Sequence, residues 1–218
     1  MPTRQPDLDQ TAHAVPTGTP IRDIRDQLLA AAERVLLRDG PDALTSRAVT
    51  TEAGVAKGIL HRHFADFDTF LVTLVLAHIE RLDALSTELR ASAGTATVTD
   101  NLVGALAAVL KPSGVAVVNL VSSRDELLAR LRLAVPAGVP LLAETTKMIS
   151  AYLTAERGLG CIAIETDIDA LAVILVGSSH LLAAGSRPTP VEPDDLRGVV
   201  GLAVGSVIQR QPARAAQT

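Results

Sequence analysis

The stretch Gly54-Val55-Ala56-Lys57-Gly58-Ile59-Leu60-His61-Arg62-His63-Phe64, GVAKGILHRHF, decides how the chain is read. It sets one Lys, one Arg and two His among mostly small or apolar residues, so a metal site, a catalytic cluster and a phosphate-contacting surface all compete. Helical spacing separates them. Successive helical residues turn by about 100°, so His61 and His63 point to opposite sides and cannot share an ion. Leu60 and Phe64, four apart, fall on one face and can bury together, leaving Lys57, Gly58, His61 and Arg62 outward. A short helix with small residues at its start can approach a major groove closely, its first turn facing base edges while longer side chains reach phosphates.

The flanking sequence supplies a frame for such a helix. Thr19-Pro20 reads as an N-cap with proline at the first helical position. Ile21, Ile24, Leu28, Ala31 and Val35, with Ala32 and Leu36 beside them, make a helical stripe that Gly40-Pro41 stops. Thr45 caps a short second helix, Ser46 to Ala53, and Gly54 turns the chain into a third from about Lys57 to Phe64. Three helices with a glycine turn between the last two form the helix-turn-helix arrangement. In it Thr45, Ser46 and Arg47 can offer hydroxyl, backbone N–H and guanidinium contacts to a sugar-phosphate chain.

Beyond this head the pattern stays helical. Leu71, Leu74, Val75, His78, Leu82, Leu85 and Leu89 hold one face of a long fourth helix that ends near Gly94. Further helices are predicted at about 98–110, 114–121, 124–134, 139–157, 167–184 and 194–209, with starts marked by a Ser123/Glu126 capping box, Thr166 and Pro193. Only Cys161 to Glu165 (CIAIE) reads as a possible strand. The fold class is therefore all-α, in two domains: a helix-turn-helix head at 20–66 and a larger helical domain at 67–210, flanked by a disordered tail at 1–19 and a second tail at 211–218.

Composition narrows the function. Of 218 residues 48% are hydrophobic but only 2% aromatic, so the core is aliphatic and stacking of planar ligands has little material. The net charge of −4, with eight Lys/Arg against ten Asp/Glu in residues 1–70, means that any DNA contact must come from a local patch. One cysteine, Cys161, excludes an intrachain disulfide and fits a reducing compartment. The first twenty residues do not read as a secretory signal, and Ala170 to Gly185 is too short for a membrane span, so a cytoplasmic protein without membrane contact is expected.

Catalytic and cofactor motifs fare poorly. Gly158-Leu159-Gly160-Cys161-Ile162-Ala163 has the form of a dinucleotide loop, but it follows a helix where the phosphate mechanism requires a strand. No G-x-S-x-G occurs, and Cys161 has no His or acid beside it to license a nucleophile. Neither a metal nor a cofactor is expected, and the chain is not read as an enzyme.

Residues from about Ile24 to Leu76 resemble the DNA-binding domain of the TetR/AcrR family of bacterial transcriptional regulators. The resemblance lies in AAERVLLRDG of the first helix, the capping Thr45, the EAGV turn and the recognition helix with Lys57, Gly58, Ile59, Leu60 and Arg62-His63-Phe64. It implies a homodimeric regulator, usually a repressor, whose helical domain binds a small molecule and thereby changes the spacing of two heads on a palindromic operator. Carried over by position, Thr45 and Arg47 would touch backbone, Ala56, Lys57, Gly58 and Ile59 would lie nearest the bases, and His61 and His63 would reach phosphates. Two departures stand out: His61 replaces the usual Tyr, and Phe67, between Asp66 and Asp68, stands where a phosphate-binding Lys is common. The second predicts fewer phosphate contacts and a shallower salt dependence, while the acids can cap the fourth helix.

In the larger domain, polar residues on apolar faces are the candidates for ligand contact: His78, Asn119, and Met148 with Tyr152 four residues on. Satisfied core residues are the competing reading for each. Gly177, Ser178, Gly198, Gly201 and Gly205 among aliphatics, with His180 on the same helix as Val173 and Val176, suggest close helix approach in a four-helix dimer interface, against a plain internal core. The aromatic-poor composition favours an aliphatic or flexible effector. A helical binding protein without specific DNA recognition is the second reading, and a helical enzyme the third.

Overall fold

The computed structural model describes residues 21–134, 138–185 and 191–209. The expected tails and the Thr19-Pro20 cap lie outside them. Ten helices follow one another among the described residues: α1 (Ile21–Asp39), α2 (Ser46–Glu52), α3 (Ile59–His63), α4 (Phe67–Ala91), α5 (Val98–Val109), α6 (Pro112–Ser122), α7 (Asp125–Ala134), α8 (Pro140–Gly158), α9 (Ile168–Gly185) and α10 (Pro193–Val204). The fold is all-α: a three-helix head, α1–α3, carried on a larger helical body.

Local chemistry fixes most of the boundaries. The side chains of Thr45, Asp66 and Thr97 accept hydrogen bonds from the amides of Ala48, Thr69 and Asp100 and so open α2, α4 and α5. Each satisfies an amide that the helix leaves unpaired, and losing such a cap costs about 0.5–2 kcal/mol. Prolines open α6, α8 and α10, where the missing N–H is not needed. Gly40 and Gly54, with φ of 84° and 67°, occupy the left-handed region that ends α1 and turns α2 toward α3.

Four local expectations are corrected. Ser123 ends α6 instead of opening α7, its hydroxyl donating to the Leu120 carbonyl at 3.0 Å, so the Ser123/Glu126 box does not form the start of that helix. Asp167, not Thr166, caps α9 by accepting from the Ala170 amide at 3.0 Å. The CIAIE segment makes one antiparallel bridge, Ile162 with Ile208, because its pairing partner is the short turn after α10. That turn also ends α10 at Val204, short of the expected 209.

Two apolar clusters build the core. One joins Leu28, Val35, Leu44, Val49, Leu60 and Phe64 of the head to the first turns of α4 and to Val117, Leu120, Leu127 and Leu131 of α6 and α7. The other packs α5, α8, α9 and α10 around the end of α4. At 25 residues, α4 is about 37 Å long and reaches both. Phe70, Leu71, Leu74 and Val75 belong to the first cluster, and Leu89 to the second. The helix α8 bridges them likewise, through Leu141 on one side and Ile149 on the other.

Candidate functional site

At five residues α3 is far below the roughly 12–15 that an isolated helix needs, so its neighbours must hold it. Leu60 is fully buried beneath it. Phe64 closes its end, with its ring edge-on to Phe70 at 5.0 Å. Arg25 lies over the Phe64 ring, 4.3 Å from its centre, and also donates to the His63 carbonyl at 3.0 Å. Gln27 donates to the Ala53 carbonyl at 2.8 Å, fixing the end of α2. Arg34 and Arg38 grip Glu52 at 2.7 and 2.8 Å, and these hydrogen bonds hold its carboxyl below the ordinary range.

This frame presents one polar face. Thr45, Arg47, Ala56, Lys57, Gly58, His61 and Arg62 are exposed, while Ser46 and His63 are half-buried. Lys57 and Gly58 precede α3 instead of forming its first turn, since the helix begins only at Ile59. Ile59 is half-buried against the apolar cluster of the head, so it anchors α3 as well as flanking the exposed surface. His61 is exposed, whereas His63 is half-buried and its backbone carbonyl is tied to Arg25.

The acids around Phe67 serve structure. Asp66 caps α4, and the Thr69 amide and hydroxyl, followed by Arg130, hold its carboxyl below the usual value. Arg130 of α7 bridges Asp66 and Asp68 at 3.3 and 3.0 Å. Phe67 stacks on Phe70 with ring centres 5.7 Å apart. A second link, invisible in the sequence, is Arg124 just before α7, whose guanidinium donates to the carbonyls of Pro41 and Leu44, both at 2.9 Å. It ties the α1–α2 loop to the body.

In the body, His78 sits midway along α4, almost fully buried. Its Nδ1 lies 3.2 Å from the Leu74 carbonyl and its Nε2 3.7 Å from Glu33 of α1, which pairs with Arg81 at 2.8 Å. Burial is the main cause of its lowered pKa. His78 lines a cleft of about 250 Å³ with Arg81, Lys111 and the apolar Leu82, Leu85 and Leu141. A void of only about 20 Å³ shares Val109, Gly114 and Leu141 with it and has His180 on its wall. The other ligand candidates lie elsewhere: Met148 and Tyr152 belong to the second core cluster, and Asn119 is half-buried on α6. The Tyr152 hydroxyl is satisfied internally, donating to Glu156 at 2.6 Å and accepting from Asn101 at 3.0 Å, and burial raises its pKa. These three line neither cavity beside His78.

The helices α9 and α10 pack side by side and leave an apolar surface outward. Val173, Ile174, Leu181 and Leu202 are exposed, Leu181 by 75% and Leu202 by 88%. Gly177, Gly198 and Gly205 are exposed and Gly201 half-buried, whereas half-buried His180 lines a pocket within its own chain. Among the described residues no single helix is long and apolar enough to cross a membrane; the α5–α6 pair reaches that composition only across a 62° bend. No group of three His, Cys, Asp or Glu residues able to hold a metal is found among the described residues.

A helix-turn-helix head that exposes Arg47, Lys57 and Arg62, on an all-helical body, defines the structural class. Residues 28–69, most of the head, match the model of bacterial regulatory proteins of the tetR family. No curated protein matches the chain. Among solved structures, a TetR-family transcriptional regulator from Agrobacterium tumefaciens is similar over 87% of this chain and 100% of its own, with a TM-score of 0.68 and 14% identity. The fatty acid degradation regulator FadR from Bacillus halodurans covers 83% of this chain and 97% of its own, with a TM-score of 0.62 and 18% identity. A gamma-butyrolactone receptor, ArpA-like, covers 87% and 90%, with a TM-score of 0.62 and 20% identity. At these identities the likeness establishes a shared fold across head and body.

Proposed function

We propose that the chain is a ligand-responsive transcriptional repressor, working in the cytoplasm as a homodimer on a roughly palindromic operator and released by a small-molecule effector. The observation that carries this reading is the exposed face of Ala56, Lys57, Gly58, His61 and Arg62, held by Leu60 and Phe64 on a core that extends into α6 and α7. A change in the body therefore reaches the head through packed side chains. Thr45, Ser46, Arg47 and His63 complete the phosphate-facing rim, and Ile59 flanks the bases.

The outward apolar face of α9 and α10 supports the dimer, since such a surface marks an interaction site and its small residues permit close approach. Two-fold symmetry would set the heads about 34–36 Å apart, or a multiple of it. The aliphatic walls beside His78 support an aliphatic or flexible effector, and the fold shared with a fatty acid degradation regulator and a gamma-butyrolactone receptor agrees with this.

Titrating labelled DNA from the region upstream of the protein's own coding sequence, at two salt concentrations, tests the reading. A specific complex at low salt that Lys57→Ala weakens by about tenfold is expected. Absence of any specific complex would instead support a helical binding protein without DNA recognition, a reading favoured by Phe67, between Asp66 and Asp68, where the family resemblance implies a lysine. Unchanged binding by Lys57→Ala would remove α3 from the recognition surface.

A further inference from the structure

The charge distribution around the cleft beside His78 is one-sided. Arg81 and Lys111 line it together with buried His78, and no carboxylate does so among the described residues. Its apolar lining is aliphatic, and through Val109, Gly114 and Leu141 it adjoins a void of about 20 Å³, room for about one water, that His180 also lines. A cleft that sets two cations beside the apolar side chains of Leu82, Leu85, Val109 and Leu141 matches a short amphiphilic anion. Its volume of about 250 Å³ lies near the lower end of the roughly 300–1,000 Å³ of small-molecule sites.

The nearest acid approaches from the head. Glu33 of α1 pairs with Arg81 at 2.8 Å and stands 3.7 Å from His78 Nε2, so one carboxylate of the DNA-binding head occupies the cation that faces the cleft. A second carboxylate bound in the cleft would compete with it for the same guanidinium. The site also lies at the seam between the two core clusters, since His78 falls between Val75 of one and Leu89 of the other.

We infer that this cleft binds a short aliphatic carboxylate, with its head group on Arg81 and Lys111 beside His78 and its chain against Leu82, Leu85 and Leu141, and that binding draws Arg81 from Glu33 and loosens α1 from α4. The assignment rests on the body being the effector-binding part of the regulator proposed above. It identifies both the effector class and the contact through which occupancy reaches the head.

Calorimetric titration of the full-length protein with sodium octanoate, octanol and octylammonium chloride tests it. Octanoate should bind at least about tenfold tighter than octanol, with octylammonium weakest, as a charge-assisted hydrogen bond implies. Lys111→Met should weaken octanoate by about tenfold and leave octanol unchanged. Glu33→Gln, which removes the competitor, should tighten octanoate several-fold, a direction that mere loss of a structural ion pair does not give. Circular dichroism establishes that each variant is folded. Octanoate binding no tighter than octanol, or unaffected by Lys111→Met, overturns the site; unchanged or weaker octanoate binding in Glu33→Gln overturns the link to the head. The two proposals fail separately, because octanoate binding without a specific DNA complex sinks only the regulator reading, and a DNA complex without octanoate binding sinks only this one.

Discussion

Arg25 holds α3 through two contacts, the face of Phe64 and the carbonyl of His63. Arg25→Ala should therefore lower stability by about 1–2 kcal/mol, from one cation–π contact and one hydrogen bond, and weaken DNA binding by loosening α3. Chemical denaturation and a DNA titration on the same variant check both effects. His78 and His180 make a second claim at this scale. Burial lowers both pKa values from 6.5, so the unfolded chain binds protons that the folded one refuses as pH falls below 6.5. Stability should decline on acidification from neutrality to the lowered folded values, and His180→Gln should flatten that decline in melts recorded across the window.

Among the elements, α4 and α7 decide how head and body communicate. The Arg124 guanidinium on the Pro41 and Leu44 carbonyls and the Arg130 bridge to Asp66 and Asp68 tie α7 and the residue before it to the α1–α2 loop and to the start of α4. Arg124→Ala should cost about 1–3 kcal/mol of stability, measured by denaturation, because two carbonyls lose a charged donor. Glu52, Asp66 and Asp100, all held below their ordinary values by hydrogen bonds, give stability that is present above the unfolded values of 4.5 and 3.8 and lost as pH falls through the lowered folded ones. Melting curves between about pH 5 and 2 should show this loss. The elements themselves were largely legible, because stripes, Thr45, Gly54 and the helix-opening prolines act over a few residues. The exceptions arose where two local signals competed: Ser123 could end one helix or begin the next, and Asp167 displaced the neighbouring Thr166 as cap. The contacts that position the site were not legible. Arg25 meets its partner 38 residues away, Gln27 26, Glu33 48 and Arg124 as many as 83, and no periodicity encodes such distances. Tyr152 and Met148, open in the sequence to both a ligand and a core reading, lie in the second core cluster, with the Tyr152 hydroxyl bonded to Glu156 and Asn101.

For the whole molecule, the outward face of α9 and α10 predicts its assembly. Leu202→Asp should convert a dimer to a monomer in sedimentation experiments, with helical content retained, because an exposed leucine on one chain becomes a charge buried in the pair. The monomer should bind DNA far more weakly, having lost the second half-site. The central claim is that two such heads read one symmetric sequence. Selection of bound fragments from a randomised DNA pool by the full-length protein measures this most directly. The account predicts enrichment of a single inverted repeat with half-sites one helical turn or a multiple apart, lost on Lys57→Ala. Recovery of unenriched sequences, or the same repeat from the Lys57→Ala protein, would contradict it.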